Sequence, residues 1–208
     1  MDVLLVHGLG RTGGSMLRLG RDLVRAGHRP HYFTYFAWAE PYERVVERLK
    51  RRLAPFREGR APYAVIGHSF GGVLLRDALA GEGGQPPVLL VMLGTPNRSP
   101  RMAQRAWRAG PFRWAARDCG RRLAGADLFA RLPDPDYPYL VIAGTRGLYG
   151  RWSPFGREPN DGLVAVSEAR LGAPDRLVQV QVAHTFMMNH PEVRRHVREA
   201  LAAAASEA

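Results

Sequence analysis

A serine, an aspartate and a histidine stand at positions where together they could carry out nucleophilic catalysis. Ser69 lies at the centre of the pentapeptide Gly67–Gly71, which follows a short apolar stretch and precedes an apolar helical pattern. A serine hydroxyl is a weak nucleophile at neutral pH, so it needs an imidazole to accept its proton and a carboxylate to orient that imidazole. The pattern predicts Ser69 as the nucleophile, with both partners further along the chain.

The two glycines of the pentapeptide indicate a sharp turn between a strand and a helix. Such a turn projects the serine oxygen above the sheet, and bulky side chains two residues before or after it would collide with neighbouring elements. The helix that follows would direct free amides at the site, where negative charge develops during acyl transfer. The same residues also fit a glycine-rich corner with an inert serine. We interpret His68 as a packing residue, because adjacent side chains on so sharp a turn point in different directions.

Position in the chain favours His184 as the base. It directly follows the last apolar strand pattern and precedes the final helical pattern, which would place it in a loop at the carboxyl edge of the sheet. His190 is the rival candidate. Because it immediately precedes Pro191, it is more simply explained as a residue at the start of that helix.

Asp161 is the predicted acid, within the segment Asn160–Val164. It lies beyond the strand pattern that ends at Ala143 and before the strand that leads to His184, which gives the chain order Ser, Asp, His. The small Gly162 would let the loop turn tightly beside the carboxylate. Other carboxylates in this part of the chain are more readily explained as turn or surface charges; they are Asp134, Asp136, Glu158 and Asp175.

The oxyanion of an acyl-transfer intermediate needs two backbone amides as donors. One is predicted to come from Phe70, directly after the nucleophile. The other is predicted to come from Leu9, in the loop after the first strand. The glycines on either side of Leu9 could equally serve only a tight turn.

Elements of alternating type must position these residues. Continuous apolar runs alternate with helical patterns, which is typical of right-handed crossovers and of a mostly parallel sheet with helices on both faces. Strands are predicted at 3–6, 31–36, 63–66, 88–93, 139–143 and 177–182, and helices at 16–26, from Pro41 onward, at 73–80 and at 191–205. The fold class is therefore α/β.

The segment at about 97–133 interrupts this alternation and is predicted to be a helical insert, or lid, over the sheet. It carries nine arginines against Asp118 and Asp127. Its aromatic residues Trp107, Phe112 and Trp114 could form an acyl pocket, while the arginines could attract anionic substrates or a phospholipid surface. Alternatively, the insert is a solvated amphipathic cover without a specific role for its charges.

Together these motifs resemble the α/β-hydrolase superfamily, and within it the lipase-like branch that begins with His-Gly-Leu after its first core strand, here His7–Leu9. Asn160–Val164, followed by Ser167 and Leu171–Gly172, is similar to the stretch around the acid of bacterial triacylglycerol lipases. The resemblance implies a minimal α/β-hydrolase fold and ester hydrolysis through an acyl-enzyme. A thioesterase, amidase or acyltransferase would use the same triad. A non-catalytic protein that binds lipid or an anionic surface is a further alternative.

Composition and charge restrict the remaining possibilities. The 208 residues predict a single domain, 1–208, and the net charge of +11 is almost wholly due to arginine. No nucleic-acid-binding motif accompanies that charge, so small-molecule esters or lipids are the predicted partners. Cys119 has no second cysteine to pair with, and no set of ligands indicates a metal or another cofactor. Because no apolar run is long enough for a signal peptide or a bilayer, we expect a cytoplasmic protein.

Overall fold

The computed structural model describes residues 1–81, 83–151, 153–172 and 176–207. These residues form a six-stranded sheet in which all neighbouring strands are parallel, in the order β2-β1-β3-β4-β5-β6. The strands are β1 (Asp2–Val6), β2 (Arg29–Phe33), β3 (Tyr63–His68), β4 (Leu89–Leu93), β5 (Tyr139–Gly144) and β6 (Leu177–Val180). The parallel sheet confirms the predicted fold class. Since β1 has β2 on one side and β3 on the other, the strand order reverses beside the carboxyl end of β1, where ligands bind in open α/β sheets.

Helices connect the strands and cover both faces of the sheet. They are α1 (Leu17–Arg25), α2 (Tyr42–Glu58), α3 (Phe70–Leu79), α4 (Arg101–Arg108), α5 (Gly110–Ala124), α6 (Ala126–Arg131), α7 (Val166–Ala169) and α8 (Pro191–Glu207). Short 3-10 segments span Gly13–Met16 and His184–Asn189.

The alternation of side chains along β1 divides the core into two layers. Leu4 and Val6 pack with residues of α2 and α3 on one face of the sheet. Val3 and Leu5 point to the other face, where they pack with residues of α1 and α8. Because all four side chains are buried, β1 is covered on both faces of the sheet.

Two strands end earlier than their sequence pattern predicts. β2 ends at Phe33, because the amide of Tyr35 donates to Nε2 of His7 at 3.2 Å and its phenol donates to the carbonyl of His7 at 3.2 Å. These bonds draw the chain off the sheet ladder. β6 ends at Val180, because the chain turns there and the amide of Val182 donates a hydrogen bond to the carbonyl of Val180 at 2.8 Å. α3 begins at Phe70, three residues before its predicted start.

The helices α4, α5 and α6 lie between β4 and β5, within the predicted insert. α5 is bent at Arg117, whose backbone has φ 42° and ψ −127° in the middle of the helix. Cys119 and Leu123, after the bend, are buried in the core, whereas Arg113 and Trp114, before it, are exposed. Among the described residues, no helix has both the length and the apolar character needed to cross a membrane.

Candidate active site

The turn between β3 and α3 holds Ser69 in a conformation that L-residues rarely adopt, with φ 53° and ψ −123°. A Cβ on Gly71 would lie 2.4 Å from the carbonyl oxygen of Val6, and one on Gly67 would lie 2.4 Å from Cα of Gly72. These contacts confirm that glycine is required on both sides of the serine, because any side chain there would displace backbone. The packing of α3 against β1 therefore stabilises the strained turn.

His184 and Asp161 form a buried hydrogen-bonded pair. Nδ1 of His184 donates to Oδ2 of Asp161 at 2.7 Å, and the amide of His184 donates to the carbonyl of Asp161 at 3.0 Å. The side chains are only 6% and 1% exposed. With its proton on Nδ1, the neutral imidazole has Nε2 free as an acceptor, which is the tautomer that a general base requires.

The loop that carries Asp161 is fixed by its own backbone. Oδ1 of Asp161 accepts from the amides of Leu163 and Val164 at 2.9 and 2.7 Å. The neighbouring Asn160 is fully buried, accepts from the amide of Gly162 at 3.0 Å and donates to the carbonyl of Leu148 at 3.0 Å. One carboxylate oxygen is thus committed to the loop, and the other is available to His184.

The end of β4 contacts both parts of the site. The carbonyl of Leu93 accepts from the amide of Ser69 at 2.8 Å. A Cβ on Gly94 would lie 3.1 Å from both Oδ2 of Asp161 and Nδ1 of His184. Gly94 therefore allows the histidine and aspartate pair to lie against the backbone of the central sheet.

Two further buried histidines, His7 and His68, lie next to the proposed catalytic residues. Nε2 of His68 donates to the carbonyl of His184 at 3.1 Å, and the two rings lie 5.0 Å apart. Burial, together with the nearby His184, holds the pKa of His68 well below its usual range, so its ring is neutral. His7 accepts from the amide of Tyr35 through Nε2 and donates to the carbonyl of Gly8 through Nδ1 at 2.9 Å. Burial lowers the pKa of His7 as well.

The amides proposed for the oxyanion lie in the expected elements. Phe70 is the first residue of α3, where backbone amides have no partner within the helix. Leu9 follows β1, and its amide donates to no other group among the described residues. The bond from His7 to Gly8 fixes the backbone immediately before Leu9.

A cleft of about 800 Å³ opens at the carboxyl edge of the sheet and includes both Ser69 and His184 in its walls. In the described part of the chain, no hydrogen bond joins the hydroxyl of Ser69 to the ring of His184. Catalytic hydrogen bonds are often long before substrate binds. The insert and the acid loop supply most of the apolar wall, namely Met102, Ala103, Ala106, Phe112, Leu123 and Leu163.

The three aromatic residues predicted for an acyl pocket have different positions. Phe112 lines the cleft. Trp107 does not; its ring packs edge-on against Phe112 with centroids 6.5 Å apart. Trp114 is 78% exposed and lies outside the cleft wall. Of the three, Phe112 is the residue that shares the cleft wall with Ser69, and an acyl pocket that includes the two tryptophans stays a prediction.

The rival residues lie elsewhere. His190 follows the 3-10 segment and is not in the cleft wall. Glu158 binds Arg101 at 2.5 Å, and Asp134 is a largely exposed carboxylate 3.5 Å from Arg76. Asp136 is exposed, and Asp175 lies outside the described residues. Asp161 is the carboxylate that contacts His184.

Sequence reasoning missed Gly94 and understated His68. A glycine directly after the apolar run of β4 was a usable signal for Gly94, because close backbone approaches concentrate at the carboxyl edge of parallel strands. Arg11, in the loop after β1, also lines the cleft and was not singled out. Across the described residues, no group of three or more His, Cys, Asp or Glu side chains is placed to hold a metal ion.

Neither a protein-family model nor a curated protein sequence matches the chain. Several solved structures do. The phospholipase PlaB from Legionella pneumophila has a TM-score of 0.61 at 19% identity, over 82% of this chain and 46% of that one, so the chain spans less than half of its length. A thermophilic esterase from Thermogutta terrifontis has a TM-score of 0.60 at 17% identity, over 98% and 90% of the two chains.

Human thioesterase 2 has a TM-score of 0.59 at 11% identity, over 98% of this chain and 94% of that one. At such identities a likeness concerns architecture alone, and a fold of this kind supports many reactions. The order of the strands, the turn at Ser69 and these likenesses agree: the chain has the fold of the α/β-hydrolase superfamily.

Proposed function

We propose that this protein is a serine hydrolase that cleaves carboxylic esters with Ser69 as nucleophile, His184 as base and Asp161 as the orienting acid. The observation that carries the proposal is the 2.7 Å bond from Nδ1 of His184 to Asp161, in a cleft shared with Ser69. That bond leaves Nε2 as the acceptor for a hydroxyl proton, as acyl transfer from an ester to serine requires.

The reaction would proceed in two balanced halves. Oγ of Ser69 attacks the ester carbonyl carbon while Nε2 of His184 takes the hydroxyl proton. The amides of Leu9 and Phe70 donate to the oxyanion, and its collapse expels the alcohol, which receives the proton from His184. Water then attacks the acyl-enzyme with the same base, and the carboxylic acid leaves as Ser69 regains its proton.

The cleft indicates an apolar acyl group. Its wall on the insert side consists of Met102, Ala106 and Phe112, whereas Arg11 and Thr12 lie on the side of the first loop. Burial of a hydrocarbon chain against the apolar wall is favourable in proportion to its area. Short-to-medium acyl esters and lipids with such chains are the proposed substrates.

The single cysteine does not compete as nucleophile. Cys119 is fully buried in the core beneath the insert, and burial raises the pKa of its thiol to about 12. A thiol with so high a pKa is almost wholly protonated at neutral pH, and the thiolate is the reactive form. We therefore expect no reaction of an acylating probe at Cys119.

Labelling with a fluorophosphonate and turnover of a chromogenic ester together test the proposal. Ser69→Ala should lose both signals. Ser15→Ala is the matched control, because Ser15 lines the same cleft but its hydroxyl donates to the carbonyl of Thr12 at 2.8 Å. Ser15→Ala should retain labelling and turnover within a few-fold. Labelling that persists in Ser69→Ala would contradict the assignment.

Substrates with a common acyl chain test the bond that is cleaved. An ester, a thioester and an amide with the same hexanoyl group should be compared by kcat/KM with the wild-type protein. We expect the ester to react much faster than the amide. If kcat/KM for the thioester exceeded that for the ester more than tenfold, thioester hydrolysis by the same three residues would become the proposed reaction.

A further inference from the structure

A band of exposed hydrophobic side chains lies at the edge of the sheet where the cleft opens. Trp114 is 78% exposed, Leu148 77%, Phe186 65% and Trp38 61%. We call this band the hydrophobic rim; its members are Phe36, Trp38, Trp114, Leu148, Tyr149 and Phe186. Elsewhere in the described chain, the large hydrophobic side chains of comparable exposure are Leu163, which lines the cleft itself, and two residues of α1.

Topology places the rim on one edge of the molecule. Phe36 and Trp38 follow β2, Leu148 and Tyr149 follow β5, and Phe186 follows β6. The carboxyl ends of parallel strands lie at the same edge, which is also the edge of Ser69. Trp114 stands two residues from Phe112, and Phe112 joins Phe36 and Trp38 around a second groove of about 360 Å³ beside the main cleft.

A basic segment adjoins the rim. Residues 98–117, which include α4 and the first part of α5, contain six arginines and no acidic residue. Arg101 is bound by Glu158 and Glu168. The others are exposed and have no ion-pair partner within the described residues; they are Arg98, Arg105, Arg108, Arg113 and Arg117.

We propose that this edge docks on a lipid bilayer that carries anionic headgroups, with the hydrophobic rim entering the interface and the basic segment contacting the headgroups. The proposal rests on the proposed function, because it takes the cleft at the same edge as the rim to receive lipid esters. Aromatic side chains favour the membrane interface, and unpaired arginines near the surface are attracted to anionic lipid.

An acidic protein partner would also attract the arginines, but the rim favours a bilayer. Its members come from separate segments at one edge of the sheet and vary from phenyl and indole to aliphatic. A fluid interface accepts such scattered groups without shape complementarity, whereas a protein surface would need matching pockets. The cleft opens at the same edge as the rim, so a docked molecule would present Ser69 towards the lipid.

The test uses full-length Ser69→Ala protein, which separates docking from hydrolysis. Cosedimentation with phosphatidylcholine vesicles is compared with cosedimentation at 30% phosphatidylglycerol. Arg105→Glu/Arg108→Glu alters the basic segment, and Trp38→Ser/Phe186→Ser alters the rim. Arg51→Glu/Arg60→Glu is the matched control, because it changes the net charge by the same amount. Both residues are exposed; Arg51 lies on α2 and Arg60 lies just before β3.

We expect binding to anionic vesicles and at least tenfold weaker binding to neutral ones. The arginine pair and the rim pair should each weaken anionic binding at least fivefold, while the control pair changes it less than twofold. If the control pair and the basic-segment pair weakened binding to anionic vesicles equally, the proposal would be overturned, because net charge alone would then explain the binding. Absence of vesicle binding would also overturn the proposal. Binding of an acidic protein in place of vesicles would count as the same outcome.

Hydrolysis of a soluble short-chain ester by the same variants, with Ser69 restored, keeps the two proposals distinguishable. The rim and basic-segment variants should turn over that ester within about twofold of wild type, because neither pair includes a catalytic residue. If the wild-type protein did not hydrolyse the soluble ester, the proposed function would be defeated. If the protein hydrolysed the ester but did not bind vesicles, only the docking proposal would be defeated.

Discussion

His68 donates a hydrogen bond through Nε2 to the backbone carbonyl of His184 at 3.1 Å, across 116 positions of the chain. The residue next to the proposed nucleophile therefore holds the loop of the proposed base. With the proton on Nε2, Nδ1 of His68 is an acceptor, and it is buried without a hydrogen-bond partner. The geometry assigns His68 a positioning role in addition to packing.

Replacement of His68 should lower kcat more than it changes KM. His68→Phe removes the donor and leaves the carbonyl of His184 unpaired in the core, at a cost of about 1–3 kcal/mol. The base would lose its position while the apolar wall formed by the insert remains intact, so we expect kcat to fall about tenfold. His68→Gln, whose amide can donate to the same carbonyl, should recover much of the loss. Steady-state kinetics, normalised by fluorophosphonate titration of active sites, measure kcat and KM. Equal kcat for His68→Phe and His68→Gln would contradict a role for the hydrogen bond to the carbonyl of His184.

Asp161→Asn should abolish most turnover without disturbing the loop. The asparagine oxygen can still accept from the amides of Leu163 and Val164, so its NH2 group would face Nδ1 of His184. That contact favours the tautomer with the proton on Nε2, which cannot accept a proton from Ser69. We expect kcat to fall about 10³ to 10⁴-fold with little change in thermal stability. Glu158→Gln is the control carboxylate, and a comparable loss there would contradict Asp161 as the acid.

Gly94→Ala should separate the base from its acid. The added methyl group would lie 3.1 Å from both polar atoms of the pair, and φ of +56° is unfavourable for alanine. Displacement of catalytic groups by about 1 Å can reduce turnover about 100-fold, so kcat should fall on that scale. Gly110→Ala, where a Cβ meets nothing within 4 Å, is the control and should leave kcat unchanged. Unchanged kcat in Gly94→Ala would show that the pair tolerates movement.

The stability of the fold should decrease as pH falls from about 6.5 towards 5. Burial lowers the folded-state pKa of both His7 and His68, whereas the unfolded chain takes up protons near pH 6.5. Protonation then favours the unfolded state, and each histidine contributes a slope approaching about 1.4 kcal/mol per pH unit. Urea unfolding at several pH values measures the slope. His68→Gln should make the free energy of unfolding less dependent on pH. An unchanged slope would mean that other groups cause the pH dependence. Carboxylates with lowered pKa values, such as Glu40, contribute only at lower pH, where the unfolded chain takes up the proton before the folded state does.

The parts that depend on local pattern could be predicted from the sequence. Glycines around Ser69 and apolar runs followed by helical patterns specify the turn and the parallel sheet, because both are governed by short-range sterics and by burial. Chain order also led to Asp161 and His184, which the fold brings into contact. The ends of β2 and β6 were missed, because hydrogen bonds from loop residues, not the apolar pattern, end them.

Orientation within the insert could not be predicted. Its aromatic residues Trp107, Phe112 and Trp114 look equivalent in the sequence, yet only Phe112 lines the cleft. The bend at Arg117 decides how α5 turns, and neither a proline nor a glycine at that position signals it. The contact of His68 with His184 is equally invisible, since it depends on two loops that meet only in the folded chain.

Ser69 and Arg117 are the non-glycine residues with positive φ in the described chain, and their backbones nearly coincide at φ 53°, ψ −123° and φ 42°, ψ −127°. Glycine adopts this conformation without a Cβ clash, so replacement by glycine should stabilise the fold by about 1 kcal/mol at either position. The functional outcomes should differ. Ser69→Gly should lose ester turnover, because the nucleophile is removed, whereas Arg117→Gly should retain it. Urea unfolding beside an ester assay measures both effects, and destabilisation by Arg117→Gly would mean that contacts of the arginine side chain outweigh the backbone strain.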